Sequence, residues 1–565
     1  MIRDEVCDLL QQAISKTGIE DSNIALFHPA DPNHGDFATS IALKYAKARG
    51  VAPMDLALEI AKNIEKSDII EKLDIIEPGF INLTLKTAVL LNELKSIDDS
   101  YGKGSAKDQL IIVEFSSPNI AKPFTIGHLR STIIGDSIAR ILAFYGYKIK
   151  TDNHVGDWGT QFGKQIYAIK TWGDEEIISK AENPVKELVK LYVRFHKEAE
   201  KDDTLEDKAR EWFKKLEDGD SEARRLWNLC IEWSWKEFNA LYHQLGVAFT
   251  ENKGHGYGES YFEKDLSSIV QELREKNVVV ESEGALIVDF GEGGHPPLMI
   301  LKKDGSSLYA TRDLATDKFR LTMYGKNIRI INEVGIEQSL YFQQLYETEI
   351  MLGWFDADQR THVKHGHFRF KDQKMSTRKG NVIWLEDVLK EAKKRAVSLS
   401  RESSLLDISE HVAIASLKWN DLKRDSKMDV IFDWDEILNM NGNSGPYMLY
   451  TYVRTQSILK QAGESNQKRL NDVSGGDVNP EEKAIVRTLY QFPEVVEQAA
   501  NQYAPSLIAT YLFSLAQSYN LFYQKHQVLK AEGDSRLLRL KLTEAVGIVL
   551  KSGLNLLGIE TVEKM

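Results

Sequence analysis

Cysteine is scarce in this chain, whose 565 residues include only Cys7 and Cys230. Two cysteines so far apart in a long chain argue for a reducing compartment, where thiols stay free. They also exclude a cysteine-ligated zinc cluster, which takes several such side chains. The sequence therefore predicts a protein without zinc, and no residue of the chain is predicted to bind a metal.

Long apolar runs are missing as well, because no stretch approaches the ~20 residues that span a bilayer. The first residues, Met1 to Lys16, form an amphipathic pattern with acidic side chains, which differs from a signal or transit peptide. The chain also has no internal repeat, no low-complexity tract and no complete G-x-G-x-x-G of a dinucleotide site. These absences predict a cytoplasmic protein that does not enter a membrane.

The composition is that of an ordinary soluble protein, with 42% hydrophobic and 28% charged residues. The length exceeds what one core holds and predicts about three to five domains. The formal net charge of −12 argues mildly against nucleic acid as a partner. A negative total does not exclude a local basic face, so nucleic-acid binding stays open.

The most informative segment is IVEFSSPNIAKPFTIGHLRS, residues 112–131. A β-branched run that includes Val113 predicts a buried strand, and a small-residue turn follows it. Gly127-His128 then opens a helix, whose free amides and positive dipole end bind phosphate. Gly127 lets a nucleotide approach the backbone, and His128 can donate to phosphate oxygens. From these residues alone, a nucleotide site and an ordinary strand–turn–helix unit are equally compatible.

A second segment, KMSTRKGN at residues 374–381, is a cationic loop that ends in glycine and asparagine. Lysine and arginine in such a loop can neutralise charge that develops on a triphosphate during nucleotidyl transfer. Taken alone, a loop of this kind is more often solvated surface. The loop is informative because it occurs in the same chain as the first segment.

In this order, the two segments resemble the H-I-G-H and K-M-S-K-S signatures of class I aminoacyl-tRNA synthetases. The longer string SSPNIAKP…GHLRSTIIGD resembles the arginyl-tRNA synthetase family in particular. Thr125 stands where that family usually has histidine, and Thr377-Arg378 replaces its Lys-Ser. The catalytic residues that the resemblance implies are His128, Thr125, Lys374, Arg378 and Lys379. The ATP-binding residues that it implies are Gly127, His128, Lys122, Met375 and Ser376.

The pair Tyr309 and Asp313 predicts a receptor for a guanidinium group. If Gly305-Ser306 caps a helix, the two side chains are four residues apart and lie on one face. The carboxylate can accept a bidentate pair of hydrogen bonds, and the ring can stack or add another. Without context, an ordinary i, i+4 pair on a surface helix is the better interpretation. The resemblance favours the pocket, since the family binds arginine with Tyr and Asp at this spacing.

The resemblance supplies the remaining arginine contacts. Gln338 matches the third guanidinium contact, with Glu337 as the alternative one residue away. Glu114 and Asn119 are implied to hold the α-amino and α-carboxylate groups of the substrate. His154 lies in a glycine-rich loop similar to the family's substrate loop, and either an arginine contact or a structural role fits it.

The pattern along the chain predicts an α/β fold in three parts. The second part, residues 110–385, is a Rossmann-type parallel-sheet catalytic domain, because strands and helices alternate there. Two insertions interrupt it, a helical one near 174–225 and a strand pair near 261–304. The first part, 1–105, is α+β, and the third, 386–565, is an all-α helical bundle. Within the first part, His34-Gly35-Asp36 predicts a turn that caps a helix beginning near Phe37.

The resemblance also implies the function of each part. The first part resembles the family's N-terminal additional domain, which contacts tRNA, and the third resembles the DALR-type anticodon-binding domain. The implied reaction activates L-arginine with ATP, accompanied by Mg²⁺, to arginyl-adenylate and transfers arginine to tRNA(Arg). The family also suggests a monomer.

Two alternatives remain at this point. One is a class I synthetase for another amino acid, or an adenylyl transferase that does not use tRNA. The Tyr309–Asp313 pair and the DALR-like third part disfavour it. The other is a non-catalytic tRNA-binding paralogue, which Thr125 suggests. The presence of His128, Lys374 and Asp313 disfavours that reading.

Overall fold

The computed structural model describes residues 1–20, 23–370, 383–398, 408–463 and 478–565. The chain forms two compact units, each assembled from three stretches. Unit 1 comprises Met1–Gly102, Thr451–Val495 and Tyr511–Ser552, and unit 2 comprises Lys103–Tyr450, Val496–Thr510 and Gly553–Met565. Within the described ranges, no helix has the length and apolar character needed to cross a membrane.

The first stretch of unit 1 contains an antiparallel sheet of order β1-β2-β4-β3. Its strands are β1 (Leu26–Phe27), β2 (Phe37–Thr39), β3 (Ile70–Ile76) and β4 (Phe80–Leu85). Its helices are α1 (Ile2–Lys16), α2 (Ile41–Arg49), α3 (Pro53–Asn63) and α4 (Thr87–Lys95).

The predicted helix near Phe37 is wrong, because Phe37 begins strand β2 and the helix begins only at Ile41. Asp36 does not cap a helix. Its carboxylate accepts a hydrogen bond from the Leu85 amide at 2.8 Å and forms an ion pair with Arg487 at 2.8 Å. With Asp36 held there, the next three residues pair with β4 instead of turning into a helix.

In its described residues, unit 2 contains nine strands. They are β5 (Leu110–Glu114), β6 (Lys148–Asp152), β7 (Val279–Ser282), β8 (Ala285–Val288), β9 (Leu298–Leu301), β10 (Ile328–Gly335), β11 (Arg360–His365), β12 (Phe368–Phe370) and β13 (Val430–Phe432). The main sheet is parallel throughout, with the order β11-β10-β5-β6. This order confirms the predicted Rossmann-type sheet, whose ligands bind at the carboxyl ends of the strands.

The helices that accompany these strands are α5 (Ile126–Phe144), α6 (Gln161–Trp172), α7 (Glu175–Lys180), α8 (Pro184–Ala199), α9 (Thr204–Glu217), α10 (Ser221–Leu245), α11 (Leu266–Glu275), α12 (Tyr309–Tyr324), α13 (Ser339–Met351), α14 (Leu385–Ser398), α15 (Ser409–Leu422) and α16 (Trp434–Ile437). On one face of the sheet, Ile112 and Ile330 pack in a continuous apolar core with Leu314 of α12 and Leu345 of α13. That packing fixes both helices against the strands whose ends form the site.

The two predicted interruptions contain the expected kinds of structure. Helices α7 to α9 and the start of α10 lie in the first, and the predicted strand pair of the second is confirmed, since β7 and β8 pair antiparallel. Glu283 and Gly284 turn between them with positive φ angles of 50° and 84°, as a tight two-residue hairpin requires. Strand β9 adds a third, unpredicted strand to this sheet.

The C-terminal part is helical in its described residues, apart from β13. Its long helices are α17 (Gly445–Ala462), α18 (Pro480–Leu489), α19 (Phe492–Gln502), α20 (Pro505–Lys525) and α21 (Gly533–Leu556). The predicted helical bundle is therefore confirmed. Strand β13 departs from it because it pairs in parallel with β12, next to the catalytic part.

Candidate active site

Three polar residues stand side by side at the carboxyl ends of three strands. The strand register places Glu114 of β5 opposite Asn332 of β10 on one side and opposite Asp152 of β6 on the other. Glu114 accepts a hydrogen bond from the side-chain amide of Asn332 at 2.8 Å. Arg320 of α12 reaches this row and forms ion pairs with Glu114 and, at 2.6 Å, with Asp152. All four side chains are buried.

A second layer of charge lies behind this row. Asp317 forms ion pairs with Arg320 at 3.0 Å and with Arg360 at 2.6 Å, and Arg360 also meets Glu349 at 2.8 Å. Burial raises the pKa of Glu349 well above its ordinary value, against the opposing charge of Arg360. Burial opposes ionisation of Glu114, but the Arg320 guanidinium outweighs it and lowers the pKa of that carboxyl. Carboxylates therefore outnumber guanidinium groups here, which favours a cationic ligand.

Asp313 lies one turn before Asp317 on α12 and faces the same cluster. Its Oδ2 accepts a hydrogen bond from the hydroxyl of Tyr341, and its Oδ1 lies 3.4 Å from His154 Nε2. A small cavity of about 10 Å³ adjoins Asp313 and is lined by Glu114, Thr316, Asp317, Arg320, Asn332, Phe342 and Leu345. The structure therefore brings the predicted residues Glu114 and Asp313 together around one cavity, and His154 lies next to Asp313.

His154 carries a strongly shifted pKa. Burial alone would lower it, but the hydrogen bond and charge of Asp313, together with the charges of Glu114 and Glu259, raise the pKa of His154 to about 10. Its other ring nitrogen, Nδ1, lies 2.8 Å from the carbonyl oxygen of Tyr257 and donates to it. His154 is therefore an imidazolium at neutral pH and places a positive charge beside Asp313.

The other predicted guanidinium contacts, Tyr309 and Gln338, have exposed side chains that do not pack around Asp313. Tyr309 is the first residue of α12, one turn before Asp313, and is 66% exposed. The predicted Gly305-Ser306 cap is wrong, because the N-cap position is Leu308 and Ser306 instead bonds to Asp304. Gln338 is exposed at the end of the short 3₁₀ turn Ile336–Gln338, which leads into α13.

The Ser116-Ser117-Pro118 turn after β5 has a strained backbone, since Ser116 and Ser117 have φ angles of 74° and 43°. Hydrogen bonds hold it in place: the Ser116 amide donates to Ser131 at 2.8 Å, and the Ser117 amide donates to Asn153 at 3.1 Å. The turn delivers Asn119 to the substrate loop, where a Cβ on Gly156 would lie 2.5 Å from the Asn119 Oδ1. Only glycine at position 156 allows this approach.

At the start of α5, Thr125 and His128 form a reciprocal cap. The Thr125 amide donates to His128 Nδ1 at 2.9 Å, so Nδ1 is an acceptor and the proton of the neutral ring is on Nε2. Burial, and then the positive charges of His365 and Lys122, lower the pKa of His128 to about 4. His128 therefore offers a neutral Nε2–H donor at the helix start, beside the backbone amide of Gly127.

The residues that follow the basic loop are hydrogen-bonded to this same helix start. The Leu385 amide donates to the Phe124 carbonyl at 2.9 Å, and the Ile126 amide donates to the Ile383 carbonyl at 3.2 Å. The chain that follows residues 371–382 is therefore fixed beside Thr125. The predicted residues Lys374, Met375, Ser376, Arg378 and Lys379 lie outside the described residues. Lys122 is half-buried near Glu259, and burial lowers its pKa.

Sequence reasoning missed several residues of the site, namely Asp152, Asp317, Arg320, Asn332 and Tyr341. Asp313, Asp317 and Arg320 follow an i, i+4, i+7 spacing, so their common helix face was visible in the sequence. Asp152 ends strand β6, which is also a visible signal, whereas Asn332 lies within β10. Tyr341 had no such signal, because it comes from a different helix.

Comparisons with known proteins agree along the whole chain. The family described as tRNA synthetases class I (R), catalytic domain, matches residues 90–434. The arginyl tRNA synthetase N terminal domain matches residues 4–85, and the DALR anticodon binding domain matches residues 448–565. These three matches follow the order predicted from the sequence.

Individual relatives give the same result. The arginine–tRNA ligase of Fusobacterium nucleatum is 41% identical over 542 residues, which are 94% of each chain. That of Halothermothrix orenii is 39% identical and covers 100% of this chain and 99% of its own. The crystal structure of arginyl-tRNA synthetase from Plasmodium falciparum superimposes with a TM-score of 0.84 at 25% identity, covering 100% of this chain and 99% of its own. The family resemblance of the signatures is thus confirmed, and the chain belongs to the arginyl-tRNA synthetases of class I.

Proposed function

We propose that this chain ligates arginine to tRNA and that the cavity beside Asp313 is where the arginine side chain binds. The observation that carries the proposal is the excess of carboxylates around that cavity, with Glu114 and Asp313 on its wall. Its position at the carboxyl ends of parallel strands, close to the start of α5, is where class I chemistry needs an amino acid beside a nucleotide.

In this proposal each predicted residue has a defined role. Asp313 accepts hydrogen bonds from the guanidinium group, with Tyr309 and Gln338 completing that end of the pocket and His154 on its wall. Glu114 and Asn119 hold the α-amino and α-carboxylate groups. Glu114 retains capacity for this contact, because each of its oxygens has one protein partner and a carboxylate oxygen accepts two hydrogen bonds.

The ATP end is assigned to the start of α5. The Gly127 amide, the Nε2–H of His128 and the Lys122 ammonium group contact phosphate oxygens, together with the basic residues Lys374, Arg378 and Lys379 and their neighbours Met375 and Ser376. Mg²⁺ travels with ATP and neutralises part of the triphosphate charge. Catalysis at such a site is mainly positioning and charge neutralisation, without a covalent enzyme intermediate.

The reaction proceeds in two steps. A carboxylate oxygen of arginine attacks the α-phosphorus of ATP, and the bond to the bridging oxygen breaks, so pyrophosphate leaves with that electron pair. A hydroxyl of the terminal tRNA ribose then attacks the carbonyl carbon of arginyl-adenylate, loses its proton and displaces AMP. A pocket built to bind a guanidinium rejects amino acids without one, since they leave its polar groups unpaired.

We further propose the roles and boundaries of the other parts. Residues 1–105 contact the tRNA outside the anticodon, residues 110–385 hold the catalytic site, and residues 386–565 bind the anticodon. The exposed ring of Tyr523, which packs 4.7 Å from the Arg454 guanidinium, supports base stacking by the third part. The family suggests that the chain acts as a monomer in the cytoplasm.

Pyrophosphate exchange across the twenty amino acids tests the proposed function. We expect exchange only with arginine and only in the presence of tRNA(Arg), the latter because the family requires it. The assay compares full-length protein with and without that tRNA. Strong exchange without RNA would contradict the tRNA requirement, and best activity with lysine or glutamate would contradict the arginine pocket.

Arginine binding is expected to release a proton from His154. The free enzyme holds the imidazolium because Asp313, Glu114 and Glu259 face it and raise its pKa to about 10. A guanidinium that enters beside it takes over Asp313 and adds a like charge, so the pKa of His154 falls. Because the complex binds fewer protons than the free enzyme, arginine affinity rises with pH below the free-enzyme pKa of about 10.

Titration calorimetry at pH 8 in two buffers of different ionisation enthalpy measures this release. We expect up to one proton per arginine, seen as a buffer-dependent binding enthalpy. ATP titrated into the same enzyme is the control, since it does not enter this pocket. A binding enthalpy for arginine that is the same in both buffers would show that His154 keeps its proton.

A further inference from the structure

Both oxygens of the Asp313 carboxylate already have a protein partner. Oδ1 lies 3.4 Å from His154, and Oδ2 accepts the hydrogen bond of the Tyr341 hydroxyl. Tyr341 is the third residue of α13, three positions after Gln338. Burial, followed by the charge of Asp313, raises the pKa of this hydroxyl well above its ordinary value, so Tyr341 remains a donor at any working pH.

The cavity next to Asp313 is far too small for an arginine side chain at about 10 Å³, which is roughly the space of one water molecule. A guanidinium can therefore enter this cavity beside Asp313 only if a side chain moves. His154 is the less mobile partner, because its Nδ1 is fixed by the Tyr257 carbonyl at 2.8 Å. Tyr341 is held at its tip by Asp313, near the exposed 3₁₀ turn that leads into its helix.

We propose that Tyr341 is a specificity-determining residue of the arginine pocket, whose hydroxyl occupies Asp313 until a substrate guanidinium displaces it. This rests on the proposed role of Asp313 as the guanidinium acceptor. Every ligand must then replace a hydrogen bond between a neutral donor and a carboxylate. Arginine does so with two N–H donors and a full charge, whereas a neutral or singly donating side chain gains little by the exchange.

The displacement has a measurable consequence. Any interaction that stabilises the ligand-free pocket, in which the Tyr341 hydroxyl bonds to Asp313, weakens ligand binding. Tyr341→Phe removes the competing hydroxyl and keeps the ring. We expect the Kd for arginine to fall by roughly threefold to tenfold, the worth of part of one hydrogen bond to a carboxylate. L-Citrulline, the neutral isostere, is expected to gain by the same factor. Loss of a contact that only packs the two helices together is expected to leave the Kd for arginine unchanged or to raise it.

The test is titration calorimetry of arginine into the full-length protein and its variants. The control is Tyr145→Phe, since Tyr145 also donates to a carboxylate, Glu497, at 2.6 Å in the same unit but outside this site. Tyr145→Phe is expected to leave the Kd for arginine unchanged. Tyr341→Leu serves as a second variant that also lacks the hydroxyl and should shift the Kd in the same direction. Unchanged or weaker arginine binding in the Tyr341 variants would overturn the proposal.

Asp313→Asn, alone and combined with Tyr341→Phe, separates this proposal from the proposed function. If Asp313→Asn weakens arginine binding strongly and Tyr341→Phe does not tighten it, only the role of Tyr341 is refuted. If Asp313→Asn leaves arginine binding unchanged, Asp313 is not the acceptor and both proposals fail. We expect Tyr341→Phe to tighten binding in the wild-type background and to have no effect in the Asp313→Asn background.

Discussion

Asp313→Asn is expected to raise the arginine KM by a hundredfold or more while leaving the ATP KM nearly unchanged. The substitution keeps the shape of the side chain but removes its charge from a site where the guanidinium is desolvated. Loss of one partner of such an ion pair costs on the order of 3–5 kcal/mol, because the other charge stays buried without compensation. Arginine-dependent pyrophosphate exchange with saturating ATP and tRNA measures the effect.

Asp304→Asn is the matched control for this substitution. Asp304 lies nine residues earlier in the chain and is exposed, and its carboxylate accepts local hydrogen bonds from Ser306. The same chemical change there is expected to leave both KM values within experimental error. An Asp313→Asn enzyme whose arginine KM stays within about threefold of the wild-type value would remove Asp313 from the pocket.

The buried ion pairs explain why Asp313 is available to a ligand at all. Arg320 and Arg360 neutralise Glu114, Asp152 and Asp317 from inside the protein, so these carboxylates are held in place. Asp313 has no arginine partner among the described residues and faces only His154 and Tyr341. Of the carboxylates in this cluster, Asp313 is therefore the one whose partners a substrate guanidinium can replace with a net gain in binding free energy.

The sequence predicted the features of the site that depend on local order. The strand, turn and helix between residues 110 and 144 follow from a β-branched run, small residues and a helix start, and the structure has them in that sequence. The ordering of the parts along the chain was also predictable, because signature segments and helical periodicity are local signals.

The remaining features depend on contacts between residues that are far apart in the sequence, and no local sequence pattern indicates such contacts. Asp152, Glu114 and Asn332 become neighbours only through the register of three parallel strands. Tyr341 meets Asp313 because two helices, 28 positions apart at these residues, pack on the same sheet face. The start of α12 was misplaced because Asp304 and Ser306 close a turn of their own before the helix begins at Tyr309.

His128→Ala is expected to slow adenylate formation by about a hundredfold or more, like the loss of one transition-state donor. Thr125→Ala should slow it only about tenfold, the worth of one ordinary hydrogen bond. The structure explains the difference: the Thr125 backbone amide, which the substitution retains, holds His128 Nδ1 at 2.9 Å. The Thr125 hydroxyl, 3.1 Å from the same nitrogen, adds only a second contact. Without it, His128 still presents Nε2–H to phosphate.

His128→Asn separates the phosphate contact from the helix cap. An asparagine oxygen can accept the Thr125 amide in place of Nδ1, but its side chain is too short to replace the Nε2–H donor. We therefore expect His128→Asn to melt at nearly the wild-type temperature and still to lose about a hundredfold in rate. Rates are compared in single-turnover adenylate formation with saturating arginine and tRNA. If Thr125→Ala is slower than His128→Ala, or His128→Asn regains the wild-type rate, then the phosphate donor at this helix start is not His128.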